Sequence, residues 1–283
     1  MKHTLMAAGT AFLKAVEAMY EKEERIFDDR YSVLLLPPSF RFLIKLMESK
    51  RVLRYMVGVR ERSTPGVLGG ILCRNRYIDD VLDDAIRDGF KTVVNLGAGY
   101  DTRALRVQGI QDLKVYEIDA REVIDEKRRR MRQAGIKFPS NLRFVPIDFD
   151  RQNLREELEK ARCDPSDKTL FIMEGVTQYI AREAFEDTLR FVGAAAPGSR
   201  LVFTYVLQDL FDHPERHPEN RLMMRQFMTG FSQTGMEAYL SGFGLGLKED
   251  VGAEVFRERY LKPKNRDLGL MEIERVAVAE VVS

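Results

Sequence analysis

The sequence predicts an α/β fold: a mainly parallel, doubly wound sheet whose last strand runs antiparallel, preceded by a helical cap. Three features carry this expectation. Up to about residue 90 the apolar patterns have helical spacing; beyond it, short β-branched runs alternate with helix-like stretches. The first run enters a glycine turn, "VVNLGAGYDTRALRV", and a new helical pattern follows at once. The tail "LMEIERVAVAEVV" alternates like a strand and has no crossover helix after it.

The helical part comes first. In "AFLKAVEAMYEKEE", Phe12, Ala15, Val16 and Met19 share one helix face. "FRFLIKLMESKRVLRYMVGV" follows Pro37 and Pro38 and again has helical spacing. In "VLGGILCRNRYIDDVLDDAIRDG" a stripe runs through Leu68, Ile71, Leu72, Ile78, Leu82 and Ile86, and Gly89 offers a stop. Strands are expected at 92–96, 114–118, 142–147, 169–173 and 200–206, and helices at 101–107, 121–134, 153–161 and 182–194. Such alternation requires right-handed crossovers and a sheet covered on both faces. The expected division is a cap over residues 1–89 and a core over 90–283, with a lid insertion at about 208–232. The cap would cover the carboxyl edge of the sheet, where such folds bind ligands.

Bulk composition narrows the partners. The 283 residues are 45% hydrophobic and 31% charged, with net charge +1. Nothing in that balance attracts nucleic acid or an acidic membrane surface. The run "DEKRRRMRQ" reads as a solvated helix face. Cys73 and Cys163 lack zinc-ligand spacing and read as unpaired thiols of a reducing compartment. No apolar run approaches membrane-spanning length, and the start lacks the pattern of a secretory signal. A cytoplasmic protein with neither nucleic acid nor membrane as partner is expected.

The glycine loop narrows the ligand. Gly97, Ala98 and Gly99 match the start of a G-x-G-x-x-G dinucleotide fingerprint, but Thr102 stands at its third glycine. Asp101 sits where a helix start would otherwise hold a pyrophosphate. A carboxylate there repels phosphate; it suits a cationic ligand or caps the helix. S-adenosylmethionine carries a sulfonium and an ammonium and no phosphate. Asp119, 22 positions after Gly97, ends the second strand and can accept from ribose hydroxyls or cap the next helix; Glu117 is the second choice. Asp148 and Phe149 end the third strand, either at the adenine or as a turn acid beside a core aromatic. Glu174 ends the fourth, either solvated or near a bound ammonium.

The stretches "AVEAMYEKEERIFDDRYSVLLL", "CRNRYIDDVLDDAIRDG", "VVNLGAGYDTRALRV", "VYEIDAREVIDEKRRR", "FVPIDFD" and "FIMEGVTQYI" occur in this order. In them the chain resembles the leucine carboxyl methyltransferase family, and within it the bacterial and polyketide-type O-methyltransferases. The resemblance implies a Rossmann-like class I methyltransferase sheet that binds S-adenosylmethionine and releases S-adenosylhomocysteine. It implies that Arg74 meets the methionine carboxylate and that Gly97 lies under the methionine moiety. It implies Asp119 at the ribose, Asp148 and Phe149 at the adenine and Glu174 near the amino acid end. Two departures stand out. "FDDRY" has Arg30 where the family's "F-x-D-P" has proline, and the family's "P-W-R-F-G" is absent from a chain with no tryptophan. That second region belongs to the acceptor side.

The acceptor is expected to be a carboxylate of a small or medium-sized organic acid, giving a methyl ester. A carboxylate is already ionised and needs no base, whereas a phenol or alcohol usually needs one. Only His3, His213 and His217 are present, none at a core strand end. His213 and His217 with Asp209 and Asp212 are too loosely spaced for a metal. The stripe Met223, Phe227 and Phe231 is expected to form a helix packed on the core, with an acceptor wall as the alternative, and either makes it part of the lid. Tyr205, ending the fifth strand, is a candidate acceptor contact. A phenol, an alcohol or a protein C-terminal carboxylate remain alternative acceptors. An NAD-type oxidoreductase and a non-catalytic cofactor-binding protein are the alternatives from other classes.

Overall fold

The computed structural model describes residues 2–148, 152–218 and 224–282. Helix α1 (Lys2–Glu17) leads to α2 (Pro38–Leu46), α3 (Lys50–Ser63) and the long α4 (Val67–Arg87). The second pattern expected as helical is thus two helices, broken around Met47 to Ser49. Gly89 adopts φ +75° just past α4, the left-handed stop that glycine permits.

The sheet then begins: β1 (Thr92–Leu96), α5 (Arg103–Arg106), β2 (Lys114–Asp119), α6 (Arg121–Gln133) and β3 (Leu142–Pro146). It continues with α7 (Leu154–Lys160), β4 (Thr169–Met173), α8 (Arg182–Gly193), β5 (Arg200–Val206), β6 (Leu245–Val251) and β7 (Glu274–Val281). The helix expected at 101–107 is a single turn. Asn153 caps α7, its side chain accepting from the amides of Arg155 and Glu156.

Seven strands are ordered β3-β2-β1-β4-β5-β7-β6. The first five pair in parallel; β7 is antiparallel to both β5 and β6. The chain of β6, "LGLKEDV", escaped the sequence reading. Its glycine and three charges are poor strand formers, but they suit the edge of a sheet, where charge blocks further pairing. The strand order leaves the carboxyl ends of β1 and β4 side by side, and α1 and α4 close over them through Leu13, Leu68, Ile71 and Leu72.

The insertion after β5 departs from expectation. Phe231 lies in a bridge, Phe227 follows a turn with its amide bonded to the Met224 carbonyl, and Met223 lies outside the described residues. Phe231 forms a parallel bridge with Leu207 and packs its ring against Phe185 and Tyr205. It is core, while Phe227 lines a cavity. The Phe231 amide bonds the Val206 carbonyl of β5 and the Met228 amide the Gln178 carbonyl, so the two rings are held by different neighbours rather than along one helix face.

Candidate active site

A cavity of about 1520 Å³ opens at the carboxyl edge of the sheet. A single drug-sized ligand fills roughly 300–1,000 Å³, so there is room for two reactants. Its floor is the turn after β1. Gly97 has φ +73°, and a Cβ there would stand 2.4 Å from a Val176 methyl. Only glycine fits both constraints.

Arg74, Gly97, Ala98, Gly99, Asp101, Asp119, Asp148 and Glu174 all line this cavity, although they come from separate stretches of chain. Phe149 lies outside the described residues. Asp119 Oδ2 accepts from the Gly99 amide and Oδ1 from the Ala120 amide, each at 2.7 Å. These bonds fix the carboxylate plane at the edge of the cavity. The backbone of Asp148 donates to Gln152.

Arg74 sits in the buried stretch of α4. Its Nε donates to Glu174 Oε1 at 3.0 Å and its Nη1 to Glu274 Oε1 at 2.6 Å. Nη2 points to Gly175, where an added Cβ would approach to 3.1 Å. Arg76 instead pairs with Asp80 on the exposed face of the same helix. Arg103 is the centre of a second cluster. It donates to Asp79, Asp101, Glu174 and both oxygens of Asn75. The Arg103 amide also donates to Asp101 at 2.6 Å, so the capping role weighed for Asp101 is present alongside its place in the cavity wall. Thr102, the residue that breaks the fingerprint, donates to Asp29. Asp29 belongs to "FDDRY" and also accepts from the amides of Tyr31 and Ser32.

Two candidates fall elsewhere. The Tyr205 hydroxyl donates to Asp250 at 2.7 Å, its ring is in the core, and it is absent from the cavity wall. Strand alternation turns it toward β7 and β6, which the sequence reading had not both placed. Glu117 is buried against Lys127 rather than at a ribose position. His217 hydrogen-bonds Asp209 at 2.9 Å, outside the cavity wall. Three contributors were missed. Lys14 of α1 is 4% exposed and lines the cavity, and Arg103 and Glu274 hold its carboxylates and Arg74. A lysine on an amphipathic helix ordinarily reads as solvated, so no local signal marks Lys14.

Electrostatics sets a pH profile. Burial would raise the carboxyls of Asp29, Asp101 and Glu174, but neighbouring arginines and Lys14 outweigh it and hold all three below their ordinary values. Such groups add stability that is present above the unfolded-state value of about 4 and lost as pH falls through the depressed folded values. Glu117 has the opposite sign. Burial pushes it up to about 7 against the opposing pull of Lys127, so its contribution is lost as pH rises toward 7. The thermal midpoint followed by circular dichroism should therefore peak near about pH 5 and fall steeply below about 4. A midpoint that is level from pH 7 to 3 would mean these carboxyls are not shifted.

The chain was compared with known proteins. The leucine carboxyl methyltransferase family model matches residues 7–193. A Mycolicibacterium paratuberculosis protein provisionally named an S-adenosyl-L-methionine-dependent methyltransferase is 30% identical over 93% of this chain and 89% of its own length. A Mycobacterium ulcerans protein of the same provisional name is 30% identical over 72% of this chain, and the match spans 65% of that relative. Among solved structures, a candidate methyltransferase from Thermobifida fusca superposes with TM-score 0.58 at 15% identity, covering 89% of this chain and 93% of its own. Magnesium protoporphyrin IX methyltransferase from Synechocystis, solved with bound S-adenosylhomocysteine, gives 0.50 at 12% identity, over 76% and 86%. The chain belongs to the leucine carboxyl methyltransferase family and has the class I fold of S-adenosylmethionine-dependent methyltransferases.

Proposed function

We propose that this protein transfers a methyl group from S-adenosylmethionine to a carboxylate of an organic acid, giving a methyl ester. The observation that carries the reading is the convergence of Arg74, Gly97, Asp119, Asp148 and Glu174 on one cavity. Charge supports it. The ion-paired cluster beside the cavity sets Lys14, Arg74, Arg103 and Arg106 against Asp29, Asp79, Asp101, Glu174 and Glu274. That balance leaves an excess of one anion, which suits a ligand of net positive charge and disfavours a pyrophosphate.

When bound, the donor supplies a methyl group made electrophilic by its sulfonium. The chain supplies position. Arg74 offers a guanidinium to the amino acid carboxylate, and Asp119 offers lone pairs to the ribose hydroxyls. Phe227, Met228 and Met271 add apolar surface to the same cavity, on which the acceptor can rest. No histidine lines the cavity among the described residues, and an ionised carboxylate needs no base. Proximity and alignment then carry most of the rate.

A panel of acids, phenols and peptides with a labelled methyl donor tests this. The labelled product should release methanol in base, as an ester does. Single-turnover rates should stay nearly flat from about pH 6 to 8, well above a carboxyl pKa of about 4. A base-stable product with a rate rising through that range would move the acceptor to a phenol or alcohol. Calorimetric binding of NADH and not of S-adenosylmethionine would overturn methyl transfer itself.

A further inference from the structure

Helices α2 and α3 are only partly held by the rest of the molecule. Within them only Leu53 is buried. Leu53 packs with Met47, Val16, Ile44 and Val57, which attaches the hairpin to α1. The opposite side is apolar and open to solvent. Phe42 is 62% exposed, Leu46 54% and Tyr55 67%. Phe42 and Leu46 are one turn apart on α2, and Val52, Tyr55 and Met56 have the same spacing on α3, so each helix carries an outward apolar stripe. Scattered exposed apolar residues need no explanation; two adjoining stripes do.

The charges beside the stripes are predominantly positive. Residues 38–63 hold seven Lys or Arg against Glu48 and Glu61, an excess of five in a chain whose total is +1. The near-neutral sum conceals this segregation. Lys45, Arg51 and Arg54 interleave with the exposed apolar residues, while Lys50 pairs with Glu21 at 2.7 Å. Long cationic side chains around Phe, Tyr and Leu are the composition of helices that lie in a lipid headgroup layer. The hairpin also reaches the cavity: Phe40, Leu43 and Arg60 line its wall.

We propose that the α2–α3 hairpin is a peripheral docking face for an anionic lipid surface, set at the mouth of the cavity. The apolar stripes enter the headgroup region and the cations meet lipid phosphates. The mouth is thereby turned toward acids carried in that surface. The inference does not depend on the reaction proposed above, because binding is read without donor or acceptor.

The chain has no tryptophan, so Tyr55→Trp provides a single fluorescent reporter on the exposed stripe. Vesicles of phosphatidylglycerol with phosphatidylcholine should shift its emission to the blue and co-sediment the unmodified protein. Pure phosphatidylcholine vesicles should do neither. Removing two cations with Arg51→Gln and Arg54→Gln should weaken partitioning by roughly 30-fold, and both positions are exposed, so folding is spared. Absence of co-sedimentation of the unmodified protein with anionic vesicles would overturn the proposal. So would a vesicle-free dimer abolished by Phe42→Ser, which assigns the face to a second copy. A blue shift caused by S-adenosylmethionine alone would assign it to closure over the protein's own cavity.

Discussion

Replacing Arg103 with methionine should lower the unfolding free energy by about 3–5 kcal/mol. The side chain is 3% exposed and holds Asp79, Asp101 and Glu174 at once. Methionine preserves much of the volume but leaves three buried carboxylates short of a partner. Removing one side of a buried ionic cluster costs far more than the cluster is worth, because the survivors keep their desolvation penalty. With a urea slope of about 2–3 kcal/mol/M, the unfolding midpoint should fall by more than about 1 M. Arg129→Met is the comparison. Arg129 is 52% exposed and pairs with Glu126 on the surface of α6, so its loss should cost under about 1 kcal/mol. Equal midpoints for the two variants would mean the carboxylates around Arg103 are not buried ions.

Replacing Asp119 with alanine should weaken S-adenosylmethionine binding tenfold or more in calorimetry. Charge-assisted hydrogen bonds to a ribose contribute about 1.5–3 kcal/mol. The structure adds a second cost, because the carboxylate also accepts from the Gly99 and Ala120 amides and so shapes the loop. Asp119→Asn separates the two. The amide oxygen can still take the Gly99 bond, at the loss of the Ala120 bond alone, so the loop should be disturbed less than in alanine while the charge is lost. Undiminished affinity in both variants would remove Asp119 from the donor site.

The parallel core was legible because its strands are β-branched and each ends in a polar residue at a turn. Arg200–Val206 and Thr169–Met173 stand where they were expected. That the strand-end candidates Gly97, Asp119, Asp148 and Glu174 share one cavity was legible for the same reason: strand ends converge whatever the loops do. What escaped depends on distant partners. Leu245–Val251 is a strand only because β7 runs beside it. Tyr205 was read as reaching outward because the two strands beyond β5 were not both foreseen. Lys14, Arg103 and Glu274 enter the site through contacts that no sequence spacing records, and an arginine after a glycine loop reads as surface until Asp79 is found opposite it.

Strand β7 lies between β5 and β6, although it follows both in the chain. Until it arrives, β5 has a bare edge and β6 has nothing to pair with. Glu274, its first residue, then reaches Arg74 across a separation of 200 positions. Assembly of this region therefore waits until the residues of β7 are available. Before residue 274 leaves the ribosome, the guanidinium of Arg74 lacks one of its two carboxylates and the sheet presents an open edge to other chains. Contacts so far apart in sequence also slow closure, since a long loop must be ordered before any bond rewards it. Until β7 pairs, the edge of β5 is the uncovered strand at which another chain could add, so completing β7 both finishes the cavity and closes that edge.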